Sequence, residues 1–105
     1  MSERLDSIGD RPLPPGSVLR FPAAWPYEDV VDFMIVAFPD GCGLVVTTGY
    51  KSGLIVVILP TEAMPKGQIA LSAAWLARNW TKWVWPDGDA ALVRVLPGYD
   101  VPTLA

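Results

Sequence analysis

The chain has 105 residues, 51% of them apolar and 18% charged, with a net charge of −3. That size and apolar content suit one packed domain and exclude a chain disordered throughout. The lack of histidine removes the commonest neutral-pH general base and metal ligand, and the acidic balance argues against nucleic-acid binding, which needs a concentrated positive surface.

Residues 1–15 are polar and run into Pro12-Leu13-Pro14-Pro15. Proline fixes φ and removes a donor, so this stretch reads as an irregular or extended N-terminal arm, followed by a single domain over residues 16–105. The first 20 residues carry Glu3, Asp6 and Asp10 and no continuous apolar run, so no signal peptide is expected. Ser17 to Phe21 is a short strand candidate closed by Pro22. Ala23 to Glu28 reads as a loop, with Trp25 expected to cap an edge of the sheet. Val30 to Phe38 is β-branched and aromatic and reads as a strand, apolar on both parities from Phe33 as a central or doubly covered strand would be.

Asp40-Gly41 marks a turn. Cys42 follows, the single cysteine, so no internal disulfide forms and a reducing compartment is expected. Its acidic neighbour argues for a small, half-buried residue rather than an activated thiol. Leu44 to Thr48 and Leu54 to Leu59 are two more strands. They bracket Gly49-Tyr50-Lys51-Ser52-Gly53, a hairpin loop with a glycine at each end. These apolar runs are too short to cross a bilayer, so no membrane partner is expected and the cytoplasm is the expected location.

Residues 61–71 form a connection broken by Pro65 and Gly67. Ser72 reads as a helix N-cap, with the helix from about Ala73 to Trp83 and Pro86 as its stop. At 100° per residue, Ala73, Leu76, Trp80 and Trp83 share one apolar arc. Trp75 lies on the flank with Arg78, Asn79 and Lys82. Asp87-Gly88-Asp89 turns the chain and Ala91 to Leu96 is a last strand. The expected class is α+β, a mainly antiparallel sheet of about five strands with one Trp-rich helix on one face, in the order β-β-β-β-α-β. A small β-barrel with a helix plugging one end is the alternative.

Nothing in the chain reads as catalytic. One cysteine without histidine leaves no usual zinc site, and no glycine-rich phosphate loop precedes a helix. Neither an enzyme nor a cofactor or metal is expected. Glu28, Asp29 and Asp32, and likewise Asp87 and Asp89, read as solvated turn residues, with an acidic rim for a basic partner as the sharper reading. Asp87-Gly88-Asp89 lacks the later glutamate that a calcium loop requires. Tyr50 and Lys51 are held out at a hairpin tip for insertion into a partner, unless Tyr50 folds back onto the sheet. Trp75, Arg78 and Lys82 form an aromatic and cationic flank suited to a partner, unless Trp75 tucks beneath the 61–71 connection or the N-terminal arm. Trp80 and Trp83 are core, and Trp85 seals a corner.

The runs Gly16 to Pro22, Thr47 to Leu54, Leu59-Pro60 and Trp75-Leu76-x-x-Asn79-Trp80-x-x-Trp83-x-x-Pro86 resemble the immunity protein 45 family of bacterial polymorphic toxin systems, over residues 16–99. The resemblance implies a protein made beside a toxin that blocks it by binding, without catalysis or cofactor. Acidic residues, Asp87 and Asp89 among them, would then meet a basic toxin, with Tyr50, Lys51 and Trp75 as anchors. The runner-up is an adaptor module that self-associates as a homodimer through its helix flank or sheet edge. A small-ligand binder or hydrolase using Asp and Tyr is the third class.

Overall fold

A run of β-branched and aromatic residues bounded by Asp29 and Pro39 makes the longest strand, β4 (Val30–Phe38). In the computed structural model, which describes residues 2–100, β4 lies near the middle of a six-stranded antiparallel sheet. The other members are β1 (Glu3–Arg4), β3 (Val18–Pro22), β5 (Gly41–Val46), β6 (Ile55–Ile58) and β8 (Arg94–Leu96), in the spatial order β1-β8-β3-β4-β5-β6. The pair β2 (Pro12–Leu13) and β7 (Leu71–Ser72) lies apart. One α-helix among the described residues, α1 (Ala73–Asn79), completes an α+β fold, as expected from the pattern.

One sheet face is the core wall. Residues directly opposite one another in register share a face. The pairs Leu19 with Phe33, Phe33 with Val46, and Ile35 with Leu44 therefore stack side chains on one side, all of them buried. α1 lays Ala73, Leu76 and the following Trp80 onto that wall, each at most 1% exposed. Trp80 meets Phe21 edge-on, with ring centroids 5.2 Å apart, and Phe21 meets Phe33 the same way at 5.0 Å.

Ser72 caps α1 by accepting the Trp75 N–H at 3.2 Å, and its own hydroxyl donates to the Asp10 carboxylate. After Asn79 the helix widens into a π-turn, Trp80–Val84, closed by the Trp85 N–H on the Trp80 carbonyl at 2.8 Å. The wider turn rotates the following side chains off the 100° spacing. Val84 is buried, whereas Trp83 is only half-buried and leans on Trp75 at 6.0 Å.

Three expectations need correcting. The arm expected to be irregular or extended, outside the sheet, holds two short strands, because Leu5 and Leu13 are buried and bring their neighbours into register with β8 and β7. A strand of two residues is too short to show a period. Second, β5 begins at Gly41, earlier than expected, so Cys42 faces the core and is wholly buried, and burial pushes its thiol pKa up. Third, the expected last strand opens as a 3-10 turn, Ala90–Leu92, because the Asp89 carboxylate caps the Ala91 N–H at 2.9 Å.

Candidate functional site

Strand geometry gathers three loops at one end of the molecule: β3–β4, the β5–β6 hairpin, and the turn after the π-helix. Gly49 adopts φ +68°, and the Glu28 carboxylate lies against its bare Cα, a space that any Cβ would take. The turn there aims Tyr50 at the neighbouring loop, where its hydroxyl donates to the Pro26 carbonyl at 3.0 Å. The Lys51 ammonium lies 5.3 Å from the Tyr27 ring centroid and 5.0 Å from that of Tyr50. Tyr27 in turn meets Trp85 edge-on at 4.9 Å.

Between the β3–β4 loop and the turn after the π-helix runs an open groove of about 470 Å³, lined chiefly by Trp25, Tyr27, Trp85, Pro86 and Asp87. Trp25 projects at its edge with 91% of its surface exposed, and Tyr50 with 75%. Isolated apolar residues are ordinary on a surface, but grouped exposed aromatics mark sites where another molecule binds. The charge here is mainly acidic. Asp29, Asp87 and Asp89 are exposed and Glu28 half-buried, against the tucked Lys51.

Of the residues expected from sequence to meet a partner, Tyr50, Lys51 and Asp87 converge on this end. Tyr50 folds towards a neighbouring loop yet stays exposed, so neither sequence reading of the hairpin holds alone. Asp89 lies beside Asp87 but serves as a cap. Trp75 is a correction to the anchor role and bears out its alternative: it is 7% exposed and packs in the core, beside residues of the 61–71 connection and Asp10. Arg78 lies exposed beside that connection, together with Met64 and Pro65, and Lys82 is exposed on the π-turn. The aromatic and cationic flank is therefore two cations without its indole. Trp25 is the converse correction, an open groove wall instead of a sheet cap. Sequence reasoning also left Tyr27 and Trp85 out of the site. The signal available was the proline-flanked Trp25-Pro26-Tyr27 in a loop, where no periodicity assigns a face.

Behind the groove the packing is tight. A Cβ at Gly88 would stand 2.8 Å from Trp85 Cδ1 and 2.9 Å from Trp80 Nε1. That Trp80 Nε1 is buried without a hydrogen-bond partner among the described residues. Gly88→Ala should therefore displace a rigid indole and cost about 1–3 kcal/mol. Thermal unfolding would register this as a fall of about 4–8 °C per kcal/mol, and an unchanged midpoint would refute the contact.

Asp32, read from sequence as a solvated turn residue, is 1% exposed on the sheet's other face. Arg20 stands opposite it in register and donates two hydrogen bonds, at 2.8 and 2.9 Å. The Tyr99 hydroxyl donates to Asp32 at 2.6 Å and accepts from Thr47 Oγ1 at 2.7 Å. Burial alone would raise the Asp32 carboxyl, but the Arg20 and Tyr99 hydrogen bonds and the Arg20 charge together hold it below the usual carboxylate range. Burial and the bond to Asp32 push Tyr99 up. The cluster is internally satisfied and serves the fold.

Among the described residues no group of three or more His, Cys, Asp or Glu is placed to hold a metal ion, and no helix is long and apolar enough to cross a membrane. A protein-family profile described as immunity protein 45 matches residues 7–95, a span that contains the groove and the hairpin beside it. No curated protein and no solved structure matches the chain.

Proposed function

The chain belongs to the immunity protein 45 family, and from that membership we propose that it neutralises a cognate bacterial toxin in the producing cell's cytoplasm by binding it directly through the aromatic groove. The observation that carries this reading is Trp25, an indole 91% exposed at the edge of a groove lined by Tyr27 and Trp85. Exposed tryptophan and tyrosine supply large contact area at small cost in ordering, and such residues dominate binding energy in protein interfaces. The surrounding carboxylates favour a basic toxin surface and speed its approach, while burial of the aromatics slows release. Occlusion by contact asks for no catalytic group.

The test is co-expression with the toxin domain encoded beside this chain's gene. Survival of the host, with a complex that persists through size-exclusion chromatography, is the expected result; neither protection nor a complex sinks the reading.

A second reading has its own support. β6 is an edge strand whose Ile55 and Ile58 are 57% and 51% exposed, with Leu54 beside them at 56%. An apolar edge without proline or charge is open to pairing with another strand, a second copy included. Sedimentation of the free chain decides it: a stable dimer favours this reading and a monomer rejects it.

A further inference from the structure

We infer that the groove between Trp25 and Trp85 is an arginine-binding site: it takes a guanidinium from the partner, stacked on the indoles and paired with Asp87. The inference rests on the toxin-binding reading and names the chemistry that the groove recognises. Three observations carry it. Aromatic side chains line the groove, Trp25, Tyr27 and Trp85, and the charged side chain that lines it is a carboxylate, Asp87. The acidic surplus extends outward through the exposed Asp29 and the half-buried Glu28. Next to the groove a cation already rests on an aromatic pair that shares Tyr27 with it, since Lys51 lies 5.3 Å from the Tyr27 ring centroid and 5.0 Å from that of Tyr50.

An aromatic ring attracts cations through its negative face, indole most strongly. Lys51 occupies the tyrosines, which leaves for a second cation the exposed Trp25 ring and the half-buried Trp85 beside it on the groove. Arginine suits that place better than lysine. Its guanidinium is planar, weakly hydrated and able to stack on an indole while its edge donates to a carboxylate. A proline-rich segment would also find aromatic walls here, but it would gain nothing from Asp87 or the acidic rim.

The probe is a short capped peptide, acetyl-Gly-Arg-Gly-amide, titrated into the full chain while the indole N–H signals are followed by NMR. Its controls are the citrulline analogue, alike in shape but uncharged, and capped penta-proline. The arginine peptide should move the Trp25 and Trp85 signals, with the citrulline analogue at least about threefold weaker. Asp87→Asn should weaken the arginine peptide and leave the citrulline analogue unchanged. Equal binding of arginine and citrulline, tighter binding of penta-proline, or shifts confined to other indoles would each overturn the inference. The two readings fail separately. If Trp25→Ala abolishes protection from the toxin while the arginine peptide ignores the groove, the guanidinium site is wrong and toxin binding stands. If the peptide binds the groove and the chain gives no protection, the site stands and the immunity role falls.

Discussion

Replacing Trp25 with alanine is expected to weaken the toxin complex by about 2–4 kcal/mol, roughly 30- to 1000-fold in Kd. Folding stability should stay within about 0.5 kcal/mol of the parent, because the substitution is at the surface. Both halves follow from one number. With 91% of its surface in solvent, the indole contributes little to the core and has nearly all of its area left to bury against a partner. A tryptophan buries ~150–250 Å², and interface residues of this kind are the ones whose truncation costs most. Calorimetry on the complex and thermal unfolding of the free chain check the two halves independently. An unchanged Kd would remove the groove from the interface, and a collapsed melting temperature would make Trp25 a structural residue instead.

Trp25 and Trp75 exchange roles relative to what the sequence suggests, for a physical reason. A helical period says on which side of a helix an indole lies, but not what the rest of the chain lays over that side. Here residues of the 61–71 connection and Asp10 lie beside Trp75, which is 7% exposed, while Arg78 on the same flank stays in solvent. For Trp25 there is no period at all, since loop backbone does not alternate faces. Where composition or a cap residue marks an element, the reading succeeds. β4 runs from Val30 to Phe38 as its composition suggests, Ser72 caps α1, and Trp80 is core. Tyr50 and Lys51 could be placed because paired glycines mark a hairpin tip. The aromatic partners they meet come from distant parts of the chain, which local pattern does not join. Asp32 lay within reach of a closer reading. A carboxylate inside an apolar strand, with Arg20 inside the preceding one, leaves both charges in need of a partner, and antiparallel register sets them opposite each other.

The charge pair on the outer face yields the other large effect. Arg20→Met should destabilise the fold by about 2–4 kcal/mol, more than Asp32→Asn. The asymmetry comes from burial. Losing Asp32 leaves a guanidinium that is 43% exposed and can rehydrate, whereas losing Arg20 leaves a carboxylate that is 1% exposed. The figure lies below that for a fully buried pair because the arginine is half in water and Tyr99 still donates to the stranded group. In the parent, Asp32 is held below its unfolded value near 3.9, so its contribution is present above about pH 4 and fades as pH falls through the lower folded value. Without Arg20, burial becomes the dominant influence and the shift reverses. The variant's carboxyl then binds protons more readily folded than unfolded, so its deficit should shrink as pH drops from about 7 towards 4.5. Urea unfolding of parent and variant at both pH values tests the sign. A deficit of the same size at each pH, or Asp32→Asn proving the more damaging change, would mean that Arg20 acts through packing rather than by neutralising a buried charge.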